Sequence, residues 1–359
     1  MQIKTFVLPV LSHEPIEEEL NRFLRGHRVL QVERHFCPDS GGYWAILVEY
    51  VGTFQFGRYH FFTVFDPKQR TICAASFPER VAFHAMMRIC HPVFDNYQTP
   101  DSFASRKGLG QYAAIGRAQQ LVRHFTWYAK LDVCKYFDSI DHGVMLAQLA
   151  RLFKDRQLLL YFRDLLLSYE TTPGCGLPIG NLTSQYFANH YLAVADHHAR
   201  QQLHVAAMVR YMDDILLFCN DEERLMQQVH QYNIYARETL HLQMHPPVVN
   251  RSAAGVPFLG YVVMPHHLRL NGRSQRRLRH KMGHLNYCLQ EGFIDDATYA
   301  RHATCLLAFA EKAAVTDLKR KMNDTPGMYP QGLQPREPWR QLEQQRQELP
   351  CVEPEQQHA

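Results

Sequence analysis

The spacing of apolar and polar residues over the first fifty positions is typical of a small α+β module. Residues 3–10 form an apolar run, and residues 16–24 repeat apolar side chains at helical spacing. The segments 29–36 and 43–51 have extended patterns. We therefore expect the order strand, helix, strand, strand in this part of the chain.

Helical and extended patterns continue through the rest of the chain. Residues 54–70 predict a two-stranded ribbon that turns at 66–70, and residues 80–93 predict a helix. The tail from 323 to 359 is rich in Pro, Gln and Glu and is expected to be disordered. The other expected elements are a strand at 128–134, one or two helices at 139–169, a helix at 184–200, extended segments at 205–211 and 215–219, a strand pair at 257–264 with its turn at 265–267, and mostly helical chain from 276 to 322 broken at Gly292.

Composition limits the class of protein. The 359 residues, 46% of them hydrophobic, are enough for two or three packed units. None of the nine cysteines has the Cys-x-x-Cys spacing of a zinc ribbon or redox dithiol. With no apolar run of about 20 residues and no export signal at the N-terminus, we expect a cytoplasmic protein without a membrane partner.

Net charge is only +4, but the basic residues are unevenly distributed. A run without acidic residues suits either a solvated surface or contact with nucleic acid phosphates. Its members are Arg269, Arg273, Arg276, Arg277, Arg279 and Lys281.

Three aspartates carry the most specific chemistry. Asp213 and Asp214 stand between the apolar runs 206–211 and 215–218, so a hairpin would expose both at its tip. Adjacent carboxylates repel each other unless a cation such as Mg²⁺ lies between them. Asp132 ends another apolar strand and could reach the same tip, as a two-metal phosphoryl transfer site requires.

Three motifs then resemble those of reverse transcriptases, in the family's order. They are LDVCKYFDSIDH at 131–142, GLPIGNLTSQ at 176–185 and YMDD at 211–214. The likeness extends roughly from 54 to 322 and implies an α+β right-hand polymerase fold. Its expected divisions are an N-terminal module at 1–53, fingers at 54–127, an antiparallel palm at 128–264, a helical thumb at 265–322 and the tail at 323–359.

The resemblance implies an RNA-directed DNA polymerase that uses two Mg²⁺ ions. Asp132, Asp213 and Asp214 would be catalytic metal ligands, and Val133 is assigned to the metal site as well. Asp138 and Asp141 would support local structure. Template RNA, primer, cDNA and deoxynucleoside triphosphates would be the partners, and the basic run would lie in the thumb and hold the template-primer duplex.

Further residues would contact substrate. Phe137, five residues after Asp132, would place a ring beneath the sugar and exclude a 2′-hydroxyl. Gly180 would let the backbone approach the template-nucleotide pair closely. The other positions assigned to substrate by the resemblance are Lys68 and Arg70 as a triphosphate clamp, Arg106 at template or nucleotide, and Ile179, Gln185 and Tyr211 within the motifs.

Ile179-Gly180 followed by Ser184-Gln185 resembles enzymes of diversity-generating retroelements, which copy RNA with errors mainly opposite adenines. A small basic accessory protein would then be a further partner. Other readings are a retron-like or phage-defence reverse transcriptase, or an idle RNA-binding scaffold. The chain shows no zinc-bearing endonuclease, RNase H or integrase segment, so integration is expected to need partners.

The segment before Phe258 lacks the lysine that many polymerases use as a general acid. That leaves His245 or water for this role, since Arg251 holds its proton too tightly.

Overall fold

The computed structural model describes residues 2–9, 14–26, 28–37, 43–51, 56–57, 59–65, 69–311 and 313. The turn at 66–68 and the expected tail at 323–359 lie outside these ranges. The chain forms two compact units, Met1–Gln98 with Lys135–Tyr191 and Thr239–Leu242, and Thr99–Cys134 with Leu192–Glu238 and Gln243–Ala359. Within the described ranges, no helix combines the length and apolar character needed to cross a membrane.

The first unit begins with a three-stranded antiparallel sheet. Its strands pair in the order β1-β3-β2. Phe6 and Leu8 of β1, Leu20 of the helix, and Ile46 and Val48 of β3 form a small core because alternate strand positions face the helix. The expected order strand, helix, strand, strand is confirmed, with bounds β1 (Gln2–Pro9), α1 (Glu14–Gly26), β2 (Arg28–Cys37) and β3 (Tyr43–Val51).

A two-stranded ribbon and several helices make up the rest of the first unit. The expected two-stranded ribbon is present and pairs β4 (Tyr59–Val64) with β5 (Arg70–Ala75), but its second strand lies beyond the expected range of 54–70. The next helix, α2 (Phe77–Tyr97), begins three residues before its expected start because Ser76 and Glu79 form a capping box. A 3-10 turn at Tyr136–Ser139 follows later in the chain. The remaining helices are α4 (His142–Leu152), α5 (Arg156–Leu167) and the first part of α6 (Leu182–Gln201).

The second unit is built on a four-stranded antiparallel sheet. Its strand order is β7-β8-β6-β9, so the long connections between sequential strands carry helices. The main core includes Tyr128, Val209, Leu216 and Phe218 of this sheet. The bounds are α3 (Gln111–His124), β6 (Trp127–Leu131), β7 (Ala207–Tyr211), β8 (Asp214–Cys219), α7 (Glu222–Leu240) and β9 (Val248–Arg251).

The C-terminal part of the described chain differs from expectation in one respect. The segment expected to hold a strand pair forms a three-stranded sheet of β10 (Val256–Phe258), β11 (Tyr261–Val263) and β12 (Leu268–Leu270). The extra turn falls at Leu259 and Gly260, whose φ values are +47° and +89°. Three-residue strands are too short to show alternation, so the pattern hid this turn.

Two helices end the described chain, α8 (Gly272–Gln290) and α9 (Asp296–Glu311). Gly292 lies between them with φ +71°, a conformation that favours glycine, so the expected break is confirmed. The α+β class with antiparallel sheets is therefore confirmed for the described chain.

Candidate active site

A very short hairpin turn presents Asp213 and Asp214. Tyr211 of β7 pairs with Asp214 of β8, so the turn contains only Met212 and Asp213. Two-residue turns usually require positive φ, which glycine or asparagine supplies most easily. Met212 nevertheless has φ +56°. The expected exposure of both carboxylates at one tip is met, since both residues are partly exposed.

Strand pairing brings Asp132 to the same edge of the sheet. Leu131 of β6 pairs with Ile215 of β8, so the next positions in the register are Asp132 and Asp214. The Asp132 carbonyl accepts a hydrogen bond from the His245 backbone N–H at 2.9 Å. The side chain of His245 is exposed there. Val133, also assigned to the metal site, is buried and bridges to Met244.

A cation not anticipated from the sequence lies within this group of acids. The Lys130 ammonium is 2.8 Å from a carboxylate oxygen of Asp214, and the two side chains are only 26% and 29% exposed. Strand alternation was the available signal, because Lys130 and Asp132 are two residues apart and share a face. Lys130 therefore balances part of the negative charge at the edge of the sheet.

The donor chemistry suits a hard divalent ion, since carboxylate oxygens are the ligands that Mg²⁺ prefers. Across the described ranges, however, no three His, Cys, Asp or Glu side chains are already grouped to hold a metal ion. Asp214 is instead engaged by Lys130. Metal binding would require that carboxylate to be shared or released.

Two other predicted residues of the second unit have structural contacts. The Arg106 guanidinium donates to the carbonyls of Thr99 at 2.8 Å and Ser102 at 3.0 Å, so it braces its own loop. Tyr211 is partly buried and packs against the main core. Neither contact was foreseen from the motifs.

In the first unit, backbone hydrogen bonds fix two predicted substrate residues, Phe137 and Ile179, to neighbouring segments of chain. The Leu177 N–H donates to the Phe137 carbonyl at 2.8 Å, and the Cys73 N–H of β5 donates to the Ile179 carbonyl at 2.7 Å. Gly180 has φ +116°, and a Cβ there would lie 2.8 Å from the Ile72 side chain. The loop thus lies directly against the ribbon. Only glycine at position 180 allows this close approach.

The other predicted substrate residues differ in exposure. Phe137 is partly buried, with its ring centroid 5.9 Å from that of Tyr136, which is the fully buried aromatic of the pair. Gln185 on α6 and Arg70 at the start of β5 are exposed. Lys68 lies outside the described residues.

Asp141 has the structural role expected for it. Its carboxylate caps α4 by accepting from the Val144 N–H at 2.9 Å and pairs with His241 at 2.9 Å. Burial raises the pKa of Asp141, but the Val144 and His241 contacts together outweigh burial and lower that pKa overall.

Comparison with known proteins gives a family match. The family model described as Reverse transcriptase (RNA-dependent DNA polymerase) matches residues 67–263. The Putative COX1/OXI3 intron 1 protein of Saccharomyces cerevisiae is 24% identical over 154 residues, covering 40% of this chain and 18% of the relative. The intron 2 protein is 22% identical over 277 residues, covering 56% and 32%. The chain thus spans less than a third of these relatives.

Solved structures of telomerase are also similar. Apo telomerase from Candida tropicalis gives a TM-score of 0.49 at 9% identity, covering 88% of this chain and 64% of that one. Telomerase from Candida albicans with a TWJ fragment of telomeric RNA gives 0.42 at 13% identity, covering 77% and 55%. TM-scores this low carry no weight for function.

Proposed function

Because the chain belongs to the reverse transcriptase (RNA-dependent DNA polymerase) family, we propose that it copies RNA into DNA by nucleotidyl transfer at Asp132, Asp213 and Asp214. The observation that carries this proposal is the strand register, in which Asp132 follows the pair Leu131 and Ile215 and so stands opposite Asp214. Asp213 occupies the adjoining turn. Asp132 and the adjacent pair Asp213 and Asp214, which lie far apart in sequence, thereby share one edge of a sheet.

In this proposal Asp132, Asp213 and Asp214 hold two Mg²⁺ ions, with Val133 at the same site. When bound, the ions supply activation of a primer 3′-hydroxyl and charge stabilisation on the leaving pyrophosphate. The protein's own contribution is to hold Asp132 and Asp214 at opposite positions of adjacent strands, with Asp213 in the adjoining turn. Lys130 neutralises Asp214 until the site is loaded.

The predicted substrate residues remain proposals with defined places. Phe137 would select deoxyribose, and the Ile179-Gly180 backbone would contact the template-nucleotide pair. The close contact of Gly180 with β5 supports such a loop, because it holds the backbone in one position. The remaining proposed contacts are Lys68 and Arg70 to triphosphate, Arg106 and Gln185 to template or nucleotide, and Tyr211 beside the catalytic turn.

The division into fingers at 54–127, palm at 128–264 and thumb at 265–322 belongs to the same proposal. The basic side chains of α8 support a thumb that holds template RNA and the primer-cDNA strand. Arg273, Arg276 and Arg279 are exposed, while Ser274, Leu278 and Met282 face the core. A positive face opposite an apolar face suits contact with phosphates of any sequence.

Incorporation of labelled deoxynucleotides on an RNA template with Mg²⁺ tests the activity. Asp213→Ala and Asp132→Ala should each lower incorporation at least about a hundredfold, because each removes a charge on which the transition state depends. Asp164→Ala is the matched control, since among the described residues this exposed acid on α5 pairs only with its neighbour Arg163. Incorporation that survives Asp213→Ala would refute the proposal, and RNA binding without incorporation by the natural chain would favour an idle scaffold.

We further propose that the enzyme is the error-prone type found in diversity-generating retroelements, for which a small basic accessory protein would be a partner. Ile179 supports this, because an apolar side chain in the loop offers no hydrogen bond to the nascent pair. Ile179→Gln should reduce errors opposite adenine in sequenced cDNA, whereas Ile179→Val should not. Equal adenine error rates in the natural chain and Ile179→Gln would contradict the assignment and leave a retron-like or phage-defence enzyme as the better reading.

A further inference from the structure

Arg210 is a fully buried charged residue in the strand that leads to the catalytic turn. Its side chain and that of Asp196 on α6 are both 0% exposed, and the Arg210 Nε donates to an Asp196 carboxylate oxygen at 2.7 Å. The rest of β7 is apolar or aromatic. A buried guanidinium among such residues needs a specific reason, because removing a charge from water is costly.

Both the backbone and the side chain of Arg210 are anchored. The backbone N–H donates to the Asp101 carbonyl at 2.8 Å, and the Arg210 carbonyl accepts from the Phe103 N–H at 3.0 Å. With Asp196 holding one side of the guanidinium, the Nη1 donates to the Met212 carbonyl at 3.2 Å. The planar guanidinium is thus shared between α6 and the turn.

The Met212 carbonyl is a sensitive point of this hairpin. Met212 has φ +56°, a conformation unfavourable for a residue with a Cβ. Its carbonyl belongs to the peptide group that leads into Asp213. A donor on that oxygen opposes rotation of this peptide and so fixes the direction in which Asp213 leaves the turn.

Stability alone is a weak explanation for the ion pair. Apolar replacement of a buried ion pair is often neutral or stabilising. Burial raises the pKa of Asp196 even though Arg210 opposes that change. Among the described residues, one Asp196 carboxylate oxygen and the neighbouring Tyr232 hydroxyl are buried without a hydrogen bond partner. These groups carry a desolvation cost that an apolar core would avoid.

We propose that Arg210, held by Asp196, is a positioning residue that fixes the Met212 carbonyl and thereby orients Asp213 for catalysis. This inference rests on the proposed function. Arg210 itself contacts neither substrate nor metal in this proposal. Its effect reaches the reaction only through the conformation of the turn.

The test separates positioning from stability with an apolar double variant. Arg210→Met with Asp196→Leu removes both charges at similar volume, so denaturant unfolding should show a chain at least as stable as the natural one. Its kcat for deoxynucleotide incorporation should fall about a hundredfold with little change in KM, since a small misplacement of a catalytic group has such an effect. Amide hydrogen exchange at 211–214 should be faster in the double variant.

A double variant that is stably folded and keeps kcat within about twofold of the natural chain would overturn the inference. Arg210→Lys is the alternative test if the double variant does not fold. Lysine keeps the charge opposite Asp196 but has no planar fork to donate to both the Asp196 carboxylate and the Met212 carbonyl. Its kcat should also fall, and an unchanged kcat and exchange rate would equally overturn the inference. Asp213→Ala distinguishes the two proposals. Activity in Asp213→Ala would defeat the proposed function. Loss of activity in Asp213→Ala, with activity kept in the double variant, would defeat this inference alone.

Discussion

Lys130 would set the charge that a metal ion meets at the proposed catalytic edge. Its ammonium lies 2.8 Å from Asp214 and repels an incoming cation. Lys130→Met should therefore tighten Mn²⁺ binding by about fivefold, a modest effect because the pair is partly exposed and screened. Titration of free Mn²⁺ by electron paramagnetic resonance measures this without any reaction.

Lys130→Arg is the control for this titration. It keeps the positive charge beside Asp214, so its Mn²⁺ affinity should stay close to that of the natural chain. Equal affinity in all three proteins would mean that the charge of Lys130 does not oppose metal binding at this edge.

Phe137 gives a second prediction for a single side chain. Phe137→Ala should raise the ratio of kcat/KM for ribonucleotides to that for deoxynucleotides by about tenfold or more, because the ring no longer excludes the 2′-hydroxyl. Single-nucleotide incorporation with each substrate provides the ratio. Phe137→Tyr, which keeps the ring, should leave the ratio low, and a low ratio in Phe137→Ala would show that another group selects the sugar.

Sequence and structure differ in which residues they reveal. Asp132, Asp213 and Asp214 could be found because each stands within a motif of distinctive spacing. Lys130 carried a weaker signal, strand alternation, and was missed. The Arg210–Asp196 pair had no signal in the sequence. The two residues are 14 positions apart, on a strand and a helix that meet only in the folded chain.

At the scale of elements, the Gly180 loop gives a stability prediction. Gly180→Ala combines positive φ with a contact of 2.8 Å to Ile72, so it should lower the free energy of unfolding by about 2–3 kcal/mol. Gly174→Ala is the matched control, because Gly174 has φ +76° but no atom within 4 Å of an added Cβ. Denaturant unfolding should show a cost of about 1 kcal/mol there. Equal costs in the two variants would show that the loop is not fixed against β5.

The cap of α4 gives a prediction with a defined pH dependence. The lowered pKa of Asp141 means that its stabilising effect is complete above the ordinary value of 3.8 and is lost as pH falls through the folded-state pKa. Asp141→Asn keeps a good cap but loses the carboxylate that pairs with His241, so it should cost about 0.5–1 kcal/mol above pH 3.8 and less below it.

Asp155, which caps α5 by accepting from the Leu158 N–H, offers the matched comparison. Asp155→Asn also keeps a cap, and among the described residues Asp155 has no histidine partner to lose, so thermal unfolding at pH 7 should barely change. A cost for Asp141→Asn that stays constant down to low pH would contradict the explanation by the Asp141 carboxylate charge.

Most elements could be predicted because long segments show a clear periodic pattern of apolar residues. The helices at 77–97 and 182–201 and the ribbon of β4 and β5 are of this kind. The division of 256–263 into β10 and β11 could not, because strands of three residues show no periodicity.

At the scale of the whole molecule, the chain topology was the feature that sequence patterns predicted least well. Each compact unit is assembled from three separate segments of chain. The strand order β7-β8-β6-β9 likewise follows from pairing between distant segments. Local patterns predict elements, but pairing depends on which apolar faces cover each other after collapse. The expectation that Asp132 lies near Asp213 and Asp214 came from its place at the end of an apolar strand and was strengthened by the family resemblance; the register of β6 and β8 agrees with it.

Long-range electrostatics predict that the exposed arginines of α8 strengthen binding to nucleic acid. Arg276 and Arg279 are exposed on α8, and each phosphate contact releases bound counterions. Arg276→Gln with Arg279→Gln should therefore weaken binding to an RNA–DNA duplex and reduce the slope of log affinity against log salt by about 1.5–2. Fluorescence anisotropy with a labelled duplex, repeated from low to high salt, gives that slope.

Arg163→Gln with Arg237→Gln changes net charge by the same amount on α5 and α7, at side chains that are 51% and 71% exposed. If α8 contacts the duplex, this control should lower affinity slightly through the overall field and leave the slope unchanged, because no phosphate contact is lost. Identical slope changes in both double variants would mean that net charge alone accounts for binding, and that α8 does not act as the nucleic-acid-holding face of the thumb.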